Sequence, residues 1–541
     1  MRLHDEETIR SYHALGHWGD RTLLDVFYHN VATFEDQVAV VDPPNRPSLV
    51  GSEAQELTWG ELGRAVDGLA GALVSRGVGL DDVVVVQLPN VWELIALYLG
   101  VARAGGIISP LPMQWRQHEI AHVVELTGAR MFVGTSNFKG LDQIALAQEA
   151  GSGLEEVLDL KDLARFSATS SEIGPVSVGA DDVFTLCWTS GTEAEPKGCP
   201  LTHNNWRFQS GLLVKLLELP QSAKLLCTAP VVNMTGVGVL LIPWLLTGGN
   251  LILHHPLDMD LLMAQIAEGA DSTLLVPALL NMIVKKAEAG EVRLGHFGTI
   301  GTGSAPPSAH SMEEFRKRWG IEIVNIWGQN EGTAMISGPT DVPEVSWRVD
   351  HFPWWGQPGT SWPSSISGVG IVLLDEDGRE LYKPGEVGEL AYRGPNVFPG
   401  YFRRPDLNRE AFAPGGYFRS GDLFKILDES YLGFFDRKKD IVIRGGFNIS
   451  AAEVENLVIA HPGVADAAVV AKPDEILGEK VGLFIVPKDP ASPPSLDQII
   501  GFLKGRDLAV YKLPEHLEIL EEIPRNPVGK ILKAELRRRF L

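Results

Sequence analysis

The sequence predicts an α/β protein: a large N-terminal domain of mainly parallel αβα sheets with a small β-rich subdomain, then a small α+β C-terminal domain. Three observations carry that expectation. Apolar β-rich runs alternate with helical patterns over the first 330 residues, which implies right-handed crossovers and parallel strands. Val83–Leu88 reads VVVVQL without polar alternation, as a strand covered on both faces does. After about residue 360 the texture shifts to short strands between Gly, Pro and Asp turns, the pattern of an antiparallel β subdomain.

The elements follow in order. Val83–Leu88 is a buried strand and Trp92–Ala104 the helix after it. Phe184–Trp188, Leu225–Ala229, Leu251–Leu253, Thr273–Val276 and Ile321–Trp327 are further short buried strands, with helices at Leu261–Glu268 and Ser311–Trp319. Gly370–Asp375, Gly388–Tyr392 and Tyr417–Phe418 are the strands of the β-rich part, separated by DEDG at 375–378 and KPGE at 383–386. Helices near Ala452–Ile459 and Leu496–Leu503 belong to the last hundred residues. The charged run DRKKD at 436–440 lies between apolar strands and marks a boundary, giving domains 1–436 and 437–541.

Composition removes several classes. Across 541 residues the net formal charge is −22, which excludes nucleic acid as a general partner, because duplex phosphates demand a basic footprint. An anionic small ligand stays open, since a local lysine with backbone N–H groups can outweigh the global field. Three cysteines, Cys187, Cys199 and Cys227, form no C-x-x-C pair, so a disulfide scaffold and a zinc ribbon are not expected and a reducing, cytoplasmic compartment fits. The opening MRLHDEETIR lacks an apolar signal core, and RRRFL at the end is no peroxisomal address. Leu225–Leu253 carries no charge and is long enough to span a bilayer. Pro230, Asn233, Pro243, Asn250 and four glycines instead make it strand, loop, buried helix and strand, and no transmembrane segment is expected.

Five segments carry chemistry. Thr189-Ser190-Gly191-Thr192-Glu193-Ala194-Glu195-Pro196-Lys197-Gly198 follows a buried strand; small hydroxyl residues and glycine let backbone N–H groups face a phosphate, and Lys197 adds a mobile charge. Alone, such a loop is more often an ordinary turn, and it is no Walker loop. Asn325-Ile326-Trp327-Gly328-Gln329-Asn330-Glu331 closes a strand at the end where α/β sheets bind ligands; Trp327 can stack on a base and Glu331 can hold Mg²⁺, or they are a core Trp and a solvated Glu. Asp422, in Tyr417–Leu423, is a carboxylate able to accept from both ribose hydroxyls, or a turn Asp. Arg437 offers a donor fork within a charged run. Lys530, in Pro524–Ile531, sits on a turn where a lysine is usually only solvated.

The order and spacing of these segments resemble the adenylate-forming superfamily of acyl- and aryl-CoA synthetases, luciferases and peptide-synthetase adenylation domains, over nearly the whole chain. Tyr12–Leu15 with Gly16-His17-Trp18, Leu57–Leu62 and Gln87-Leu88-Pro89-Asn90 are similar to the branch that activates cyclohexanecarboxylate and dihydroxybenzoate. The resemblance implies that Thr189, Ser190, Gly191, Thr192 and Lys197 cradle the ATP phosphates. Ser304, Ala305 and Pro306 would border the adenine, Trp327 would stack on it, and Asn325 and Gly328 of the same segment would belong to the ATP- and AMP-binding residues. Asn330 would face the α-phosphate, Glu331 with Thr192 would hold Mg²⁺, and Asp422 and Arg437 would hold the ribose. Lys530 would serve as the catalytic lysine with Glu331 as its partner in catalysis, Lys439 as the hinge of a mobile domain, and Gly445 and Gly446 as the lining of the coenzyme A tunnel. The acid pocket would take Asn233, Met234, Val237, Gly238, Thr302, Gly303, Met335 and Ile336.

The expected reaction is ATP-dependent conversion of a hydrophobic, bulky carboxylic acid to acyl-AMP with loss of pyrophosphate, then transfer to coenzyme A. Transfer to a phosphopantetheine arm on a separate carrier protein, and a nucleotide-binding homologue without turnover, are the alternatives. A homodimer is left open. Four departures from the family pattern stand out: Ala194 where a second glycine is usual, Glu195 beside a phosphate site, Asn330 for Thr, and Asn233 where His or an aromatic is common.

Overall fold

The computed structural model describes residues 1–150, 153–167, 178–189, 195–445, 447–506, 508–525 and 531–540. They form two compact units, Met1–Gly370 with Arg393–Phe412, and Ile371–Tyr392 with Ala413–Leu541.

The first unit holds two mainly parallel sheets. One runs Gly332–Ser337, Glu322–Gln329, Thr299–Gly303, Ser272–Leu274, Lys224–Cys227, Asn250–Leu253, Val38–Val41 and Glu56–Thr58, antiparallel only at its two edges. The other runs Glu156–Asp159, Met131–Gly134, Val83–Val86, Ile107–Pro110, Val183–Trp188 and Gly198–Thr202, antiparallel only in its last pair. The all-valine strand is buried throughout, as its unbroken apolar run requires. The uncharged stretch folds as read: strand Lys224–Cys227, a loop, helix from Met234 through a π-turn at Val237–Leu241 to Thr247, then strand Asn250–Leu253. Among the described residues no helix is long and apolar enough to cross a membrane. Trp244 of this helix stacks on Trp59 at 4.8 Å, both buried.

In the second unit Val387–Arg393, Tyr417–Ile426 and Tyr431–Arg437 form an antiparallel ladder with Gly370–Leu374 and Glu380–Leu381 beyond it. Tyr417–Ile426 is far longer than the sequence suggests, because the bulges near Glu389 and Leu423 carry it past the Ser-Gly-Asp turn signal. The last hundred residues build a second sheet around the hairpin Val464–Asp474 and Gly478–Pro487, with helices Ala451–Ile459 and Leu496–Lys504 packed on it through Val454, Val458, Ile499 and Leu503.

Candidate active site

The phosphate-loop segment leaves the sheet after Trp188. Ser190, Gly191, Thr192 and Ala194 lie outside the described residues, but both limbs are defined. The Thr189 N–H donates to Lys197 O at 3.0 Å, and the Lys197 N–H donates back to Thr189 Oγ1 at 3.1 Å. The two limbs are thus closed at their base as a strand pair would be. His122, on helix Gln117–Thr127, faces the second limb, with Nε2 2.9 Å from Pro196 O and Nδ1 3.6 Å from Glu195. Glu195 therefore turns outward to a histidine, 61% exposed, which removes the oddity of an acid in this loop.

Asn330 joins three expected parts of the site. Its Nδ2 donates to Trp188 O at 2.7 Å, and its Oδ1 accepts from Met234 N at 2.8 Å. One amide thus ties the strand before the phosphate loop to the start of the acid-pocket helix, beside Glu331. An amide provides a donor and an acceptor on one planar group, which a hydroxyl offers with less reach. Asn233 caps that same helix: its Oδ1 accepts from Thr235 N and Gly236 N. Above it, buried Asn90 accepts from Val231 N and donates to Ala229 O and His254 O, while Tyr98 Oη donates to Val231 O. The early Gln-Leu-Pro-Asn segment thereby fixes the loop that carries Asn233.

Around the expected pocket, Met234, Val237, Gly238, Thr302, Gly303 and Met335 are all buried. A Cβ on Gly238 would meet Met234 Sδ at 2.7 Å and Trp206 at 3.1 Å, so this glycine is where those two side chains close in. Thr302 shares a face with Asn325 across the ladder, and Ile300 on that face packs with Leu280 and Phe315. Gly301 and Gly303 alternate to the opposite face, that of Thr299, whose hydroxyl reaches Leu217 O on the far end of helix His203–Leu216. Met335 lies directly across from Trp327. Asn325 spends both amide hydrogens on Arg348 O and Val349 O and so anchors backbone. Ser304 leaves its strand with φ +72°, and Ser304, Ala305 and Pro306 are exposed. Gly328 sits at a bulge, where a Cβ would meet Thr333 Oγ1 at 2.3 Å.

Glu331 is 6% exposed, and its carboxylate accepts from Tyr401 Oη at 2.7 Å. The same ring lies under Lys197, whose Nζ is 4.0 Å from its centroid. No local pattern marked Tyr401; its role exists only once residues 197, 331 and 401 meet. A hard cation that keeps water and phosphate ligands needs few protein carboxylates, so one buried, oriented glutamate is a donor that fits Mg²⁺. Burial pushes the Cys187 and Cys227 thiols up to about 12 and Cys199 well above its usual value, so none is a thiolate nucleophile.

In the second unit Asp422 and Arg437 face each other across neighbouring strands, Arg437 Nε 3.9 Å from Asp422 Oδ1. The charged run holds two buried acids: Asp436 accepts from Ser450 Oγ and Ala452 N at a helix start, and Asp440 pairs with Arg537. Arg537 also donates to Lys439 O at 2.8 Å and so fastens this short 3₁₀ turn. Gly445, at φ +57°, turns the hairpin Val442–Arg444 to Phe447–Ile449. Gly446 and Lys530 lie outside the described residues.

Comparison with known proteins shows the family. The family model described as AMP-binding enzyme matches residues 27–402, and that of the AMP-binding enzyme C-terminal domain matches 453–530. The chain is 30% identical to the medium-chain fatty-acid–CoA ligase of Escherichia coli K12, over 99% of this chain and 93% of that one. It is 29% identical to the 2,3-dihydroxybenzoate-AMP ligase of Bacillus subtilis 168, over 98% and 96%. ATP-bound MatB from Rhodopseudomonas palustris superposes with a TM-score of 0.80 at 27% identity, over 96% and 99%. The chain belongs to the AMP-binding enzyme family, the adenylate-forming superfamily, as an AMP-forming ligase of the acyl-CoA synthetase class.

Proposed function

We propose that this enzyme activates a bulky hydrophobic carboxylic acid, alicyclic or aromatic, and passes the acyl group to coenzyme A. The observation that carries the reading is Asn330, which binds the phosphate-loop strand with one end of its amide and the acid-pocket helix with the other. Any acid seated against Met234 is thereby registered against a triphosphate seated on Lys197, and such registration supplies much of the rate of a two-substrate reaction.

In the first step a carboxylate oxygen bonds to the α-phosphorus, and the bond from that phosphorus to the pyrophosphate oxygen breaks. Like charges converge, and Lys197 and Lys530 are the cations assigned to offset them. Glu331, with Thr192, would hold Mg²⁺, which would supply charge neutralisation to the phosphates. Asp422 and Arg437 are the groups assigned to the ribose, and Trp327, Ser304, Ala305 and Pro306 are those assigned to the adenine. In the second step the thiol sulfur attacks the acyl carbon, the bond to the AMP oxygen breaks, and the thiol proton leaves to solvent. The small domain 437–541, turning about Lys439, would exchange Lys530 for Gly445 and Gly446 around one intermediate. Buried Met234, Val237, Met335 and Gly238 support an apolar substrate, and no charged side chain among the pocket residues suits an amino-acid ammonium.

A carrier-protein acceptor is the second reading, favoured by the likeness to a ligase named for its AMP product. The test is a turnover screen with ATP, Mg²⁺, coenzyme A and a panel of alicyclic, aromatic and fatty acids, following pyrophosphate and identifying thioesters by mass. Acid-dependent pyrophosphate with thioester supports the first reading. Pyrophosphate without thioester moves the assignment to a carrier.

A further inference from the structure

The segment after Arg393 is hydrogen-bonded to several distant parts of the first unit. Trp18 Nε1 and Asn205 Nδ2 donate to Pro395 O, and Asn205 Nδ2 also donates to Val397 O. The Phe398 N–H donates to Glu331 O at 3.0 Å and the Phe402 N–H to Gly198 O at 2.9 Å. This strap therefore joins the backbone beside Glu331 to the backbone beside Lys197. Between those two bonds stands Tyr401. Asn408 grips its backbone at both ends, accepting from Tyr401 N at 2.7 Å and donating to Tyr401 O at 3.1 Å. The neighbouring Gly400, at φ +132°, makes room for this grip; a Cβ there would meet Asn408 Nδ2 at 2.8 Å. A tyrosine that only filled space would not need its backbone clamped and both of its chemical ends engaged by opposite charges.

We propose that Tyr401 is a positioning residue that holds the Lys197 ammonium on its ring face and the Glu331 carboxylate on its hydroxyl, keeping cation and anion from neutralising each other so that each stays available to the triphosphate and its metal. The proposal rests on the assignment of Lys197 and Glu331 made above. Its physics is simple. A lysine on a flexible stem beside a buried carboxylate gains by direct pairing, and that pair would cancel the charges the site needs. An aromatic ring attracts the ammonium by its negative face, and its hydroxyl satisfies one carboxylate oxygen with a charge-assisted bond. The ring thus acts as a spacer that satisfies both partners while they remain apart.

The two ends can be removed separately. Tyr401→Phe deletes the hydroxyl and keeps the ring; Tyr401→Leu deletes both. Equilibrium dialysis of labelled ATP, once in EDTA and once across a Mg²⁺ titration, reads the two charges apart. For Tyr401→Phe the expected result is an unchanged ATP Kd in EDTA, with the half-saturating Mg²⁺ concentration raised about tenfold, as loss of a partner to a metal ligand does. For Tyr401→Leu the ATP Kd in EDTA is expected to rise as well, about fivefold, a cation–π-sized effect. The double variant Tyr401→Phe with Glu331→Gln should need no more Mg²⁺ than Glu331→Gln alone. A Tyr401→Phe protein with wild-type Mg²⁺ dependence, beside a Glu331→Gln protein that has lost it, overturns the proposal and leaves the metal assignment standing. If Glu331→Gln itself keeps the wild-type Mg²⁺ dependence, the metal assignment fails and Tyr401 falls with it. Should Tyr401→Leu not fold, the Tyr401→Phe titration decides alone.

Discussion

At the scale of single residues, the site is a set of short polar side chains that serve the backbone before they serve a substrate. Asn233, one of the departures read from the sequence, has its Oδ1 committed to capping Thr235 and Gly236. Asp caps as well as Asn, but brings a negative charge to an acid pocket. Asn233→Asp should therefore keep the melting temperature while raising KM for the acid several-fold, whereas Asn233→Ala should cost about 1 kcal/mol of stability. Glu195, another of the four departures, is an exposed partner of His122. Exposed pairs contribute little, so Glu195→Gln should leave stability within about 0.5 kcal/mol and adenylation near wild type, checked by melting and pyrophosphate release.

One residue makes a pH prediction. His203 is fully buried and its Nδ1 accepts from Leu23 N, so burial lowers its pKa to about 3. A histidine with a depressed folded pKa binds its proton only in the unfolded chain between that value and 6.5. Stability carried by His203 is thus present above pH 6.5 and declines as pH falls towards 3. His203→Gln should be less stable at pH 7.5, and the gap to wild type should shrink by about 2 kcal/mol between pH 6.5 and 5. A gap that does not change with pH, in parallel denaturant titrations, would count against a neutral buried imidazole.

At the scale of elements, glycines separate positions fixed by packing from positions left open. A Cβ on Gly236 would lie 2.1 Å from Pro230 O, at the joint between the loop and the pocket helix. A Cβ on Gly211, inside helix His203–Leu216, meets nothing within 4 Å. Gly211→Ala should stabilise by about 0.5–1 kcal/mol, since alanine loses less freedom in a helix. Gly236→Ala should destabilise and depress acid activation, and paired melts with adenylation assays compare the two. This scale also shows how far the sequence could be read. The buried runs at 83–86, 183–188 and 224–227 were plain, because parallel strands need apolar side chains on both faces. The strap at 395–402 was not, because its bonds reach residues 18, 198, 205 and 331, and no periodicity encodes a partner so far away along the chain. Asn325 was read as a ligand residue, yet its donors go to Arg348 and Val349; a buried amide near a site looks the same in sequence whether it binds substrate or backbone.

At the scale of the whole molecule, a chain of net charge −22 sets Lys197 against the strap where the phosphates of ATP are proposed to lie. The two-step chemistry asks more of Lys530 than a static site can show. Lys530→Ala should abolish acyl-AMP formation from acid and ATP while sparing thioester formation from supplied acyl-AMP, because the lysine serves only the first half-reaction. Equal loss of both, read by separate half-reaction assays, would remove that role.

The most direct test of the account is acid-dependent exchange of labelled pyrophosphate into ATP, which reports reversible acyl-AMP formation and needs no thiol acceptor. The account expects exchange with one or more bulky hydrophobic acids, dependent on Mg²⁺ and lost in Glu331→Gln and Lys197→Ala. An enzyme that binds ATP yet shows no exchange with any acid of a broad panel would contradict it.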